Sequence, residues 1–263
     1  MAQRNQLCNG VDTPNYVSMT GTPELKDDNP AGSPAVAGPA VAGGTAQYLP
    51  QANAPTMIST GKMYCADDYL LGTELLYIRG PLSLQAEYGW NFVNDAQILT
   101  SGTAGTGTPF RTTGPIQTYV FNGGYLQAAY TLTGENRVYD KKYGAMSRYY
   151  FGGQGPYENA FLVRDEDGCI CAGHGALELA CRYSYTDLNA GFGTHAAGTF
   201  VNGGIMQGVS LALNWYLNSN VTIMTDWVYD YRYDASETAV GSTAGAKFAG
   251  STSGLGTEVQ LSF

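Results

Sequence analysis

The side chains best suited to catalysis or metal binding are sparse in this sequence. The two histidines, His174 and His195, each lie beside a glycine-rich stretch, without the local pattern of a general base next to a nucleophile. The acidic run at 165–168 (DEDG) lacks the ligand spacing and closing glutamate of an EF-hand loop, so a surface turn is the simpler interpretation. We therefore predict no enzyme, no catalytic residue, no metal site and no cofactor.

The cysteines do not change this interpretation. Their number is odd, and no two of them have the CxxC spacing of a zinc site. Cys169 and Cys171 could form a disulfide in an oxidising compartment or remain two free thiols, and both alternatives stay open. The full set is Cys8, Cys65, Cys169, Cys171 and Cys181.

Polar residues instead recur at every second position along several segments. At 82–90, for example, Ser83, Gln85 and Glu87 alternate with leucine, alanine and tyrosine. Successive side chains of a β-strand point to opposite faces, so this period of two predicts strands with one wet and one apolar face. The polar residues predicted to line the wet face are Glu74, Gln85, Glu87, Gln127, Glu178, Arg182, Asn214, Asp226, Asp230, Glu258 and Gln260.

The same alternation predicts seven strands. They lie at 70–78, 82–90, 117–132, 177–186, 207–217, 221–231 and 255–263. Gly80-Pro81 and Asn218-Ser219-Asn220 supply tight turns, which predict two β-hairpins. A weaker pattern near 16–21 could add an eighth strand.

Composition indicates where these strands lie. Charged residues make up only 13% and aromatic residues 12%, with 20 tyrosines, whereas soluble domains carry about 25% charged residues. The sequence contains no run of about 18 apolar residues, which a membrane-spanning helix would need. If the chain crosses a membrane, strands must cross it. The net charge of −9, with only 13 Lys and Arg, excludes nucleic acid as a partner. The sequence thus predicts an all-β, antiparallel transmembrane β-barrel.

Two regions organise the chain. Residues 1–60 form a loop-rich N-terminal segment, including an Ala-, Gly- and Pro-rich stretch at 29–55 that predicts an exposed loop; residues 61–263 form the barrel strands. Long connections at 92–114, 188–204 and 232–253 are expected on the outside. The connection at 134–175 is also long, although the strand count places it on the periplasmic side. It either folds inward as a plug or contains two further strands.

Four blocks in order resemble the phosphate-selective porin O and P family. They are 72–88, 131–144 (TLTGENRVYDKKYG), 175–188 and 213–218 (LNWYLN). The resemblance implies a porin of the bacterial outer membrane that passes small anions such as phosphate by passive diffusion. It also implies a homotrimer of sixteen-stranded barrels, contact with outer-membrane lipid, and recognition of the terminal Phe263 by the barrel-insertion machinery. Seven or eight strands then predict the C-terminal portion of such a barrel.

The charges fit this resemblance only in part. The predicted wet face holds more acids than its single Arg182, so phosphate selectivity follows from the resemblance and not from these residues. Arg182 beside Glu178 predicts an ion pair in the wall. A basic set in the long connection could contact anions, although its interleaved acids equally predict a solvated loop: Arg137, Lys141, Lys142, Arg148 and Arg164.

Other functions remain open. A non-transporting surface or structural β protein would have the same strands, and a soluble β-sandwich would bury the same aromatics. A non-functional fragment of a porin would carry the same blocks. A barrel hydrolase using His174 or His195 is the remaining alternative.

Overall fold

The computed structural model of the protein describes residues 16–17, 19–21, 57–61, 63–100, 111–142, 145–146, 156–164, 170–191, 200–236 and 247–261. These residues form an all-β structure whose main sheet is antiparallel and curled into a half-barrel. Within the described part of the chain, no helix is long and apolar enough to cross a membrane.

The strands are short at the start of the chain and long afterwards. In order they are β1 (Tyr16–Val17), β2 (Thr20–Gly21), β3 (Ile58–Ser59), β4 (Met63–Tyr64), β5 (Asp67–Arg79), β6 (Leu82–Thr100), β7 (Arg111–Thr131), β8 (Tyr139–Asp140), β9 (Ala145–Met146), β10 (Phe161–Arg164), β11 (Ile170–Gly173), β12 (Ala176–Gly191), β13 (Phe200–Tyr216), β14 (Val221–Ser236) and β15 (Lys247–Leu261). The seven long strands β5, β6, β7, β12, β13, β14 and β15 are the seven that alternation predicts.

The long strands extend beyond the alternating segments. β6 has 19 residues and β7 has 21, whereas about 9–11 tilted residues suffice to cross the apolar part of a bilayer. The extra residues keep the backbone hydrogen bonds between the strands, but they no longer need one apolar face. The alternation of polar and apolar residues therefore does not predict them. The strands therefore extend into the three predicted connections at 92–114, 188–204 and 232–253, whose remaining residues 101–110, 192–199 and 237–246 lie outside the described residues.

The main sheet has a simple order. β5, β6, β7, β12, β13, β14 and β15 pair in sequence as antiparallel neighbours. β4 pairs with β6 in the same register that β5 continues, and β1 pairs with β4. Among the described residues, β5 and β15 are the long strands that form the two edges.

Both predicted tight turns are present at one end of the sheet. Gly80 joins β5 to β6 with a φ of 57°, as expected for the first central position of a two-residue hairpin turn. Between β13 and β14, the Asn218 side-chain oxygen accepts hydrogen bonds from the backbone N–H groups of Asn220 (2.8 Å) and Val221 (2.9 Å). We call this the turn end of the sheet and the opposite one the loop end.

Irregularities of pairing gather at the loop end. The register shifts between Val93 and Ala96 in β6, between Asp187 and Asn189 in β12, and between Arg232 and Ala235 in β14. Bulges of this kind bend a strand and increase its twist. The sheet is thus bent mainly where it leaves the alternating segments.

A buried apolar cluster fills one side of the sheet near the loop end. Its members are Met57, Ile58, Met63, Cys65, Val93, Ala96, Tyr119, Phe121, Leu188, Ala190, Val201 and Met206. We call the side of the sheet that carries this cluster the inner face, and the other side the outer face. Met57 and Ile58 belong to the cluster, and hydrogen bonds hold their segment: Arg232 Nη1 donates to the Met57 carbonyl (2.8 Å), and Met19 N donates to Thr60 Oγ1 (3.0 Å).

The N-terminal segment is described only in part. β1 pairs with β4, and β2 pairs with β3 in a separate two-stranded sheet. The stretch at 29–55 lies outside the described residues, so its prediction as an exposed loop and the domain boundary near residue 60 stay predictions.

Candidate pore-lining face

The residues predicted for the wet face share the inner face of the sheet. Cα-paired residues of neighbouring antiparallel strands carry their side chains on the same side, so the register defines transverse rows. One row runs through Glu74, Glu87, Tyr125, Ser184, Gly208, Asp230 and Thr252, and the next through Gln85, Gln127, Arg182 and Ser210. Nearer the turn end, the following rows contain Asp226, then Glu178, Asn214 and Glu258, and at the rim Gln260. That this face lines a pore stays a prediction.

The outer face has the opposite character. Large apolar side chains project from it and remain exposed, with Leu126 at 55%, Leu211 at 47% and Leu255 at 71% exposure. In a soluble protein, contiguous exposed apolar surface of this kind marks an interaction site. The two faces of the sheet thus differ in the way that a lipid-facing wall differs from a water-facing one.

A hydrogen-bonded cluster occupies the middle of the inner face. The Tyr125 hydroxyl donates to Glu87 Oε1 (2.6 Å), and Gln85 Nε2 donates to both the Tyr125 oxygen (2.8 Å) and Glu87 (3.1 Å). The Arg182 guanidinium lies over the Tyr125 ring, with Cζ 4.0 Å from the ring centroid, a cation–π geometry. Tyr125 therefore contacts a positive group with its ring and a negative group with its hydroxyl.

The predicted ion pair between Arg182 and Glu178 is replaced by a different one. Arg137, from the long connection, donates from Nε to Glu178 Oε2 (2.8 Å) and from Nη2 to Oε1 (2.5 Å). Asn214 Nδ2 also donates to Glu178 Oε1 (3.0 Å). The two charged side chains are 11% and 1% exposed, so this is a buried bidentate pair. This ion pair could not be predicted from local sequence, because Arg137 precedes Glu178 by 41 positions.

The start of the long connection is fastened to the same end of β12. Thr133 Oγ1 donates to the buried carboxylate of Glu135. That carboxylate also accepts from the Tyr157 backbone N–H (3.3 Å), and Thr133 Oγ1 accepts from Leu177 N (3.1 Å). Residues 133–137 therefore lie against the turn end of the inner face, as the inward-folding alternative expects.

The later part of the connection forms a hairpin of its own. β10 and β11 pair with each other in a two-stranded sheet, separate from the main one. Ala160 N donates to the Leu217 carbonyl (2.7 Å), Trp215 Nε1 donates to the His174 carbonyl (2.7 Å), and the Phe161 and Trp215 rings lie 5.9 Å apart. With β8 and β9, which pair with each other, the described part of the connection contains four short strands, and none of them joins the main sheet.

The described basic residues of the connection differ in their surroundings. Arg137 is held by Glu178, while Lys141 and Lys142 are exposed. Arg164 lies in β10, and Arg148 lies outside the described residues. Among the long-strand side chains that the structure describes, Arg182 and Arg232 are basic and lie on the inner face, and Arg232 was not among the residues predicted for the wet face.

The remaining chemically reactive residues form no site among those described. Cys65 is a buried free thiol, and Cys181 is an exposed free thiol on the outer face. His174 is exposed, whereas His195, Cys8, Cys169 and the run at 165–168 lie outside the described residues. Within the described ranges, no group of three or more His, Cys, Asp or Glu residues is placed to hold a metal ion.

The half-barrel and its contrasting faces define a protein of the porin type. The family model of phosphate-selective porin O and P matches residues 17–263, and the chain belongs to that family. No curated protein matches the chain. Family membership implies a channel rather than an enzyme.

Proposed function

We propose that this chain forms the wall of an outer-membrane porin that passes small anions such as phosphate by passive diffusion. The opposite chemistry of the two faces supports this most strongly. A charged and polar inner face suits a water-filled lumen, and an exposed apolar outer face suits contact with lipid. In this function the outer face contacts the lipid of the outer membrane. The expected assembly is a homotrimer.

Preference for anions rests on the arginines of the inner face. Arg182 and Arg232 project there from β12 and β14, and guanidinium groups bind phosphate with a planar fork of donors. The family description supports the same solute. The acids of this face oppose the preference, so phosphate must be tested directly rather than through general conductance.

The test is reconstitution of the full chain in a planar lipid bilayer. Ion channels are expected, with a reversal potential in a salt gradient that reports anion preference, and phosphate is expected to reduce chloride current by occupying the pore. Reconstituted protein that folds and yet forms no channels would overturn the proposal. Folding is checked first by gel mobility in SDS with and without heating, because an assembled barrel resists SDS until heated.

A non-transporting structural role is the second candidate. The apolar cluster that includes Met57 and Ile58 covers the inner face at the loop end, and such a cover is what a closed wall would have. Protein that is inserted in vesicles and blocks even small neutral solutes would favour this role.

A further inference from the structure

A groove of about 630 Å³ lies on the inner face beside Tyr125. Its floor is formed by Gly72, Gly89 and Gly123, which are aligned by register across β5, β6 and β7. A Cβ atom at Gly72 would meet no other atom within 4 Å. The space above the sheet is therefore open at Gly72, whereas a Cβ atom at Gly123 would lie 3.3 Å from Thr186 Oγ1.

The walls of the groove carry opposite charges at separate places. Glu74 and Glu87 are Cα partners on β5 and β6 and supply carboxylates on one side. Arg182 lines the groove from β12, together with the hydroxyl-bearing Ser184. The groove therefore has a negative side and a positive side across β7.

Tyr125 holds these charges in place and apart. Its hydroxyl binds Glu87 at 2.6 Å, and its ring face holds the Arg182 guanidinium at 4.0 Å. The carboxylate thus contacts the hydroxyl of Tyr125, and the guanidinium contacts the ring face of the same side chain. Fixed charges of opposite sign in a confined space create a transverse field, and a solute with its own separated charges gains energy by aligning with it.

We propose that this groove binds zwitterionic solutes whose ammonium and carboxylate groups are several bonds apart, such as a dipeptide. The ammonium group lies at Glu74 and Glu87, and the carboxylate lies at Arg182. This inference rests on the proposed porin function, because the solute must reach the groove through the lumen, and it adds a class of solute to small anions.

The experiment measures swelling of liposomes that contain the full chain. Glycylglycine is the zwitterionic probe, and N-acetylglycinamide, of similar size and without charge, is the matched neutral probe. The wild-type chain is expected to admit glycylglycine faster than the neutral probe. Arg182→Gln and the double variant Glu74→Gln/Glu87→Gln are each expected to lose this preference. Glu158→Gln, an exposed acid of the long connection, is the charge-matched control that keeps it.

A second variant tests the groove without changing any charge. Gly72→Phe adds a ring in the open space, and it is expected to slow glycylglycine more than the neutral probe. If the ratio of the glycylglycine rate to the neutral-probe rate is the same in the wild type and in every variant, the zwitterion proposal is overturned and the porin function is left intact. Absence of swelling with either probe would overturn both.

Discussion

Arg137 and Glu178 join the long connection to the wall of the half-barrel through two hydrogen bonds of 2.8 and 2.5 Å. Asn214 adds a third donor to the same carboxylate from β13. One carboxylate on β12 thereby ties together two neighbouring strands and the long connection, in which Arg137 precedes Glu178 by 41 residues. Removing Arg137 would leave the buried Glu178 carboxylate without its bidentate cation.

Breaking this pair is expected to destabilise the fold strongly. Arg137→Met and Glu178→Met should each cost about 3–5 kcal/mol, because each removes one partner of a buried ion pair. The double variant should cost less than the sum of the two. Unfolding by urea in detergent micelles measures all three, and additive costs would contradict the coupling.

Charges on the outer face should be tolerated far less than charges on the inner face. Leu211→Arg places a charge on the exposed apolar surface and is expected to cost about 2–4 kcal/mol in a bilayer. Ala212→Arg, one position along β13, faces Asp226 on the inner side and serves as the matched control. Folding into lipid vesicles measures both, and equal costs would show that the faces are assigned wrongly.

The Tyr125 hydroxyl is expected to stabilise the inner face. Tyr125→Phe keeps the ring beneath Arg182 but removes the hydrogen bond to Glu87, which should cost roughly 1.5 kcal/mol for a bond to a charged group. Tyr183→Phe on the outer face is the control for loss of a hydroxyl. The free energy of unfolding in micelles distinguishes them, and an unchanged value for Tyr125→Phe would remove the role assigned to this bond.

The link between Arg232 and Met57 should limit conductance. Arg232→Met removes the hydrogen bond that holds the Met57 carbonyl, so residues 57–60 should pack less firmly and single-channel conductance should rise. Recording at about 1 M salt, where the Debye length is about 3 Å, reduces the effect of the lost charge itself. Arg79→Met at the end of β5 is the control, and a conductance no higher than that of the wild type would speak against the link.

The terminal residue is expected to act in assembly rather than in stability. Phe263 lies outside the described residues, and its recognition by the insertion machinery is a prediction from the resemblance. Its deletion should lower the amount of barrel assembled in cells, while refolding in detergent stays unchanged. Equal loss in both assays would assign Phe263 a structural role instead.

The strands and their faces were predictable because both depend on local alternation. Leu177 to Thr186 shows the period of two directly, and once the strands are paired in sequence, the shared face of Glu87, Arg182 and Asp230 follows from pairing geometry. The ends of β6 and β7 were not predictable in this way, since their extensions no longer face lipid on one side.

Contacts between distant segments left no local pattern. The Arg137–Glu178 pair depends on the path of the long connection, and the contact of Arg232 with Met57 spans 175 residues. Taken alone, each residue of these two contacts has the sequence surroundings of an ordinary loop or strand position. The inward packing of residues 57–60 was missed for the same reason, because a single methionine followed by a single isoleucine fits many environments.

The order of the main sheet has a consequence for how the half-barrel can close. Its strands alternate in direction from β5 to β15, so these two edge strands run the same way. Joining them directly, or joining β15 to the β5 of a second copy in the same membrane orientation, would place parallel strands side by side. Closure with antiparallel pairing throughout therefore requires an odd number of further strands between the two edges.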